Sequence, residues 1–269
     1  MTVIRPRGGW VGPGIRDLWQ FRDLAYFLVW RDVKVRYKQT LFGAAWAVLQ
    51  PVLLMIVFSA FLGRIEGIGP DGVPYPLFAL AGLVPWTVFS QSLNGAANSL
   101  VNSQNLITKV YFPRLLLPIA GVGSYVVDLL VAMAILLLVT SAAGITLSAS
   151  VVWLPVFATL AVLAALALGT WLAAFNARYR DVKYALPFVI QLGLFASPVV
   201  YTADLIPPDL RVVYALNPMV GVIEGFRWAI FGGPRPDTAL VLSFAVVIAV
   251  LGGGIAYFRR VERTFADTI

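Results

Sequence analysis

Six stretches of this chain are apolar for nearly the length of a lipid bilayer, and no other feature constrains the fold so tightly. Crossing a hydrocarbon core of about 30 Å takes about 20 helical residues. Windows near that length run over residues 41–62, 76–93, 116–140, 151–175, 185–201 and 238–258. Within lipid, every backbone N–H and C=O must be satisfied inside its own helix or inside a closed barrel. Continuous apolar windows of this kind predict helices, so the expected fold class is an all-α integral membrane protein with six transmembrane helices in one domain. Composition agrees, because 60% of residues are hydrophobic and 12% charged, with mean hydropathy +0.85, whereas soluble domains carry about 25% charged residues.

The junction from Trp30 to Pro51, WRDVKVRYKQTLFGAAWAVLQP, sets the orientation. Arg31, Lys34, Arg36 and Lys38 stand just before the first window. Lys and Arg concentrate on the cytoplasmic side of a first span, where the insertion machinery and the anionic inner leaflet favour them. With the N-terminus inside, only Arg64, Arg211, Arg227 and Arg235 fall on outer segments, and every other Lys and Arg falls inside. The expected location is therefore the inner (cytoplasmic) membrane, multi-pass, with both termini cytoplasmic. The net charge of +7 reads as attraction to the membrane surface and not to nucleic acid, because the cations flank apolar spans. The first residues lack an apolar core followed by a small-residue cleavage site, so no cleaved signal peptide is expected.

Three segments between the windows have helical character. Over residues 15–38 a polar stripe of Arg16, Gln20, Asp23, Arg31, Lys34 and Lys38 alternates with Leu18, Trp19, Phe21, Leu24, Tyr26, Leu28 and Trp30. This predicts a helix lying in the membrane interface, either as a plain anchor or as a contact element. The inner loop 102–115, NSQNLITKVYFPRL, is expected to be helical up to Tyr111–Phe112 and stopped by Pro113, which cannot donate an interior helix bond. Asn105, Lys109 and Arg114 can offer polar contacts to a cytoplasmic partner while Leu106, Ile107 and Phe112 dock into its cleft; the other reading is an ordinary connector. Residues 209–232 are too apolar for a loop and read as two short re-entrant helices broken at Asn217–Pro218. Glu224 and Arg227, at i and i+3, are placed to pair locally, in a structural or a gating role.

Chemistry is sparse. The chain has no Cys and no His, which excludes disulfides, thiolates and His-ligated metal or haem. It contains no GxxxxGK[ST] run for nucleotide phosphates. Asp128 is the one acid within the six windows, and without His the usual catalytic base is missing. A carboxylate within a span costs about 2.5 to 3.5 kcal/mol on insertion scales. It is expected to pack against polar groups of neighbouring helices or to face a hydrated path. Aromatic and amide residues share helical faces: Trp46 with Gln50, and Phe188 with Gln191 and Phe195, followed by Tyr201. Such faces suit sugar rings, whose C–H edges lie on aromatic faces while hydroxyls find hydrogen bonds; they also suit lipid.

Five pieces in order, RDVKVRYKQTLFGAAW with its later Pro51, NLITKVYFPRLLLP, NARYRDVKYALPF, ASPVVY and ALNPMVGVIEGFRWAI, resemble the ABC-2 type permeases, most of all those exporting O-antigen and related cell-surface polysaccharides, with teichoic acid and capsule exporters nearby. The resemblance implies a permease subunit without a catalytic site, forming a homodimer with two copies of a separate P-loop ATPase that holds the ATP and Mg. No cofactor belongs to this chain itself. It implies that residues 31–37 and the loop Asn105, Leu106, Lys109, Phe112, Pro113 and Arg114 contact the ATPase, that re-entrant helices precede the last span, and that the cargo is a glycan on polyprenyl pyrophosphate. Arg31, Lys34, Arg36 and Lys38, beside Tyr37, then become candidates to receive the pyrophosphate, since clustered cations bind phosphate strongly. Their other reading is as positive-inside anchors. The same plan serves ABC-2 exporters of small hydrophobic molecules or drugs, and a non-ATP channel or membrane enzyme is the alternative of a different class. Copurification of an ATPase separates these readings.

Overall fold

The structure, a computed structural model, describes residues 15–38, 45–64, 72–233, 237–262 and 265. It is helical throughout, with no strand among the described residues. Two helices, α1 (Ile15–Gln20) and α2 (Arg22–Lys38), precede the first apolar helix, α3 (Trp46–Leu62). The segment expected as one interface helix is thus broken at Phe21. The first residues of window 41–62 lie outside the described residues.

The organising element is α4 (Tyr75–Asn102), buried at every position from Leu77 to Phe89. It packs most extensively on α8 (Leu154–Arg178). Small residues allow the close approach: a Cβ on Gly169 of α8 would meet the Ala96 side chain at 2.5 Å. Helix α4 also crosses α6 (Leu116–Gly123) at a glycine pair, where a Cβ on Gly121 would come within 2.9 Å of the Gly95 backbone. Small residues at crossings bring backbones together in apolar surroundings, where van der Waals packing does much of the work of association.

Among the described residues, four helical stretches are long and apolar enough to cross a membrane: Tyr75–Asn102, Leu116–Ala142, Ala149–Arg178 and Leu240–Val261. Two further apolar helices are shorter, α3 and α9 (Val182–Phe195). The third window, expected as one continuous span, is interrupted at Ser124–Tyr125, which separates α6 from α7 (Val126–Ala142). The fifth window, expected to reach Tyr201, stops being helical at Phe195, and turns and bends fill 196–200 ahead of a short 3-10 turn, Ala203–Leu205. The inner loop holds α5 (Gln104–Lys109) and then goes extended at Val110 (φ −131°, ψ 135°), short of the Tyr111–Phe112 pair expected to end the helix. Beyond the break come α10 (Pro208–Ala215) and α11 (Pro218–Phe231), separated at Asn217, whose side chain accepts the Met219 N–H as an N-cap. The last helix is α12 (Asp237–Val261).

Buried side chains fall into two clusters. The larger fills the body of the bundle, from Ala79 to Val247. The smaller lies at one end and draws on α2 (Leu28), α4 (Leu100), α5 (Ile107), α6 (Leu116, Leu117), α8 (Ala173, Ala174) and α12 (Phe258).

Candidate functional site

At the end of the bundle built on the smaller cluster, the inner loop sorts its residues sharply. Asn105, Lys109, Val110 and Tyr111 are exposed, Tyr111 at 86%, while Ile107 and Phe112 are 6% and 3% exposed and face the chain's own interior. Leu106 is half-buried and Pro113 buried. The expectation that Ile107 and Phe112 dock into a partner is corrected here: both fill the cluster with Leu28 and Phe258. The chain turns from outside to inside between Tyr111 and Phe112, and Pro113 stays buried with Phe112.

Arg114 is also engaged at home. Its backbone N–H donates to Glu262 Oε1 at 2.9 Å, and its guanidinium donates to the Glu262 carbonyl. Phe265 then closes the cluster, edge-on to Phe258 with ring centroids 5.2 Å apart. Burial pushes the Glu262 carboxyl above the usual carboxylate range, against the opposing pull of the Arg114 N–H and of the charges on Arg114 and Arg259. Neither Glu262 nor Phe265 is expected from the sequence, because they lie past the last apolar window and carry no motif. The one available signal is an aromatic recurring seven residues after Phe258.

Of the four cations before α3, Arg31 pairs with its neighbour Asp32 at 2.8 Å and Lys34 lies 5.4 Å from the centroid of the Trp30 ring. Lys38 is exposed and Tyr37 half-buried. Arg36 turns inward. Its Nη1 meets Asp128 Oδ2 at 2.7 Å and its Nη2 donates to Ser124 Oγ at 2.9 Å, while the guanidinium lies 3.6 Å from the centroid of the Tyr125 ring. Two residues expected to serve separately, a surface phosphate ligand and an intramembrane acid, are partners. The sequence contains the signal: Arg36 follows Val33 by three, Val29 by seven and Leu28 by eight, which puts it on the packing stripe of α2 and not on its polar one.

Along the side of the bundle, α4 carries Thr87, Ser90, Gln91, Asn94 and Asn98 on one helical face. Gln91 donates to Gln50 Oε1 at 2.7 Å, Asn98 donates to Asn94 Oδ1 at 2.8 Å, and Asn176 of α8 donates to the Ala97 carbonyl at 2.9 Å and to Asn98 Oδ1 at 3.1 Å. A cavity of about 160 Å³ opens between α3, α4 and α9, lined by Gln50, Trp86, Thr87, Ser90 and Gln191 among others. Thr87 Oγ1, buried there, has no hydrogen-bond partner among the described residues. Trp46, Phe188 and Phe195 are exposed at 50%, 64% and 58%. Gln50 and Gln191 are thus brought together with an aromatic, but the aromatic is Trp86, which nothing in its apolar stretch of sequence sets apart.

At the opposite end, Arg227 is buried. It donates from Nη2 to the Val199 carbonyl at 2.7 Å, from Nη1 to the Tyr201 carbonyl at 3.1 Å and from Nε to the Phe78 carbonyl at 3.4 Å, and it lies 3.6 Å from the Phe78 ring centroid. The expected local pair with Glu224 is not formed. The guanidinium is drawn instead to carbonyls that the break after α9 leaves without helical partners. Glu224 stays half-buried. Tyr201 donates to the Phe195 carbonyl or shares a hydrogen bond with Tyr214 Oη at 2.9 Å.

The exposed loop tip, the helix tied to a break in the bundle and the polar, aromatic-edged wall all sit on a bundle of apolar helices, several long enough to cross a membrane. Residues 24–231 match the ABC-2 type transporter family, and the chain belongs to that family. It is 30% identical over 259 residues, 95% of its length and 98% of the relative's, to the O-antigen export system permease protein RfbA of Myxococcus xanthus. It is 24% identical to the protein of the same name from Klebsiella pneumoniae over 92% of its length and 95% of the relative's. It is 23% identical to the polysialic acid transport protein KpsM of Escherichia coli over 86% and 91%.

Proposed function

We propose that this chain is the permease subunit of an ABC transporter that exports a lipid-linked, O-antigen-like polysaccharide across the inner membrane. Two copies form the pathway, and two copies of a separate P-loop ATPase supply ATP and Mg. Six spans, counting the shorter α3 and α9, place both termini in the cytoplasm. Helices α10 and α11 dip into the outer leaflet as a re-entrant pair. Near full-length similarity to permeases named for O-antigen export is the observation that carries the reading.

The ATPase docks on α5 and on the exposed Asn105, Lys109 and Tyr111, with Phe112 and Arg114 holding that loop from behind. The cargo's pyrophosphate meets Arg31, Lys34 and Lys38, the cations that α2 leaves at the surface. Its sugars pass the wall of Gln50, Gln191 and the exposed aromatics of α3 and α9. Membrane lipids cover the rest.

The test is purification of the chain from its native membrane in mild detergent, with mass and stoichiometry of what accompanies it. An ATPase in equal amount, lost when Lys109→Glu and Tyr111→Ala are combined, supports the reading. A folded dimer without an ATPase overturns it. Arg114 is left unchanged in this test, because its reversal would also release Glu262.

A further inference from the structure

The Arg36–Asp128 contact joins two parts of the chain that the permease mechanism must move. One is α2, which follows α1 and lies over the end of the bundle where the ATPase is proposed to dock. The other is the break between α6 and α7 in the third apolar stretch. Five observations describe the joint. The Arg36 and Asp128 side chains are 27% and 4% exposed and meet at 2.7 Å. Arg36 also holds the last residues before α7, through Ser124 Oγ at 2.9 Å and the Ser124 carbonyl at 3.4 Å. The Tyr125 ring lies under the guanidinium. Val29, seven residues earlier on α2, sits against Gly123, where a Cβ would come within 3.0 Å of Val29 Cγ2. The second carboxylate oxygen, Asp128 Oδ1, is buried without a hydrogen-bond partner among the described residues.

We infer that Arg36 and Asp128 are a positioning pair that makes α7 follow α2, so that displacement of the N-terminal helix by the ATPase is delivered to the third span at its break. This rests on the permease reading. The argument is one of alternatives. If α2 shifted alone, it would leave a carboxylate buried with neither oxygen paired, a state far costlier than moving two helices together. The break at Ser124–Tyr125 supplies the hinge, because α7 can reorient there without bending a continuous helix. A purely packing role would need neither the charge nor its position at the break.

The experiment uses the complex of this chain with its copurified ATPase, spin-labelled at Leu138→Cys, an exposed α7 position in a chain that has no cysteine of its own. In the unaltered pair, the spacing between the labels of the two protomers changes on adding ATP with vanadate, by about 2 Å or more. Arg36→Gln and Asp128→Asn combined removes the stranded charge and folds, and it still binds and hydrolyses ATP, but the label spacing no longer responds and export falls by about tenfold. The exchanged pair, Arg36→Asp with Asp128→Arg, recovers at least part of the response. Nucleotide-dependent spacing in the double neutral variant equal to that of the parent overturns the inference, as does a parent complex whose spacing ignores nucleotide. Thermal stability of the chain alone tests the pairing without any ATPase: single variants that each lower it equally and additively would show that the two groups do not interact. An ATPase missing from the parent purification removes both the permease reading and the transmission, whatever the stability cycle gives.

Discussion

Arg227→Ala removes a side chain that binds two carbonyls of the broken segment after α9 at once. Its two shorter bonds, to Val199 at 2.7 Å and Tyr201 at 3.1 Å, are charge-assisted, and such bonds contribute about 1.5 to 3 kcal/mol each. Leaving those two buried carbonyls without a donor costs about 1 to 3 kcal/mol each, so a total loss of about 3 to 5 kcal/mol is expected. At about 2 to 4 °C per kcal/mol for a chain of this size, the unfolding midpoint in detergent should fall by roughly 6 to 20 °C. Gly82→Ala attacks the same contact from the other side, because its Cβ would strike the Val199 carbonyl and come within 2.9 Å of Arg227 Nη2. The two losses share a cause, so the double variant should lose little more than the worse single one. Lysine at 227, with a point charge in place of the planar fork, should recover only part of the loss. The assay is thermal unfolding followed by size exclusion, with the four-variant cycle run in one detergent. An alanine variant within about 1 kcal/mol of the parent, or fully additive losses, would refute the reasoning.

Three further expectations follow from the same geometry. Phe112→Ala should cost about 3 to 5 kcal/mol of stability, whereas Tyr111→Ala, 86% exposed, should leave stability unchanged and reduce the ATPase recovered with the chain; thermal unfolding and copurification distinguish the two. Glu262 has a docked pKa raised above its free value, so the docked tail holds the extra proton. Docking is then strongest below the free carboxylate range of about 4.3, weakens as pH rises through the raised value, and is flat beyond it. Tryptic cleavage after Arg260 should accordingly quicken with pH, and Glu262→Gln should abolish that dependence; acceleration towards acid pH would contradict the assignment. Gln191→Leu, at an exposed position, should shift stability by no more than about 0.5 kcal/mol while slowing appearance of polysaccharide at the cell surface; unchanged export would remove this residue from the path.

The polar tail of α4 shows how hydropathy can misplace a boundary. Apolarity ends near Leu93, yet the helix runs on to Asn102, because Gln91, Asn94 and Asn98 are paired with Gln50, with each other and with Asn176. A window measures the polarity of a side chain and is blind to its partner. The fifth window errs the other way. It remains apolar to Tyr201, but the helix stops at Phe195, and the freed carbonyls are tolerated inside the bundle because Arg227 reaches them from α11.

The chain's linear pattern was enough to establish helices and not strands, the apolar windows, the loop near Lys109 and the family likeness, because each depends on neighbours along the chain, on periodicity, on length and on charge counted near a span. Pairing across long separations had to wait for the folded molecule. That Arg36 leaves the surface for Asp128, that Arg114 belongs to Glu262, and that Arg227 prefers distant carbonyls to the acid three residues away are choices among competing partners. In a low-dielectric interior such choices are settled by which groups packing brings within about 3 Å, a distance that sequence spacing does not encode.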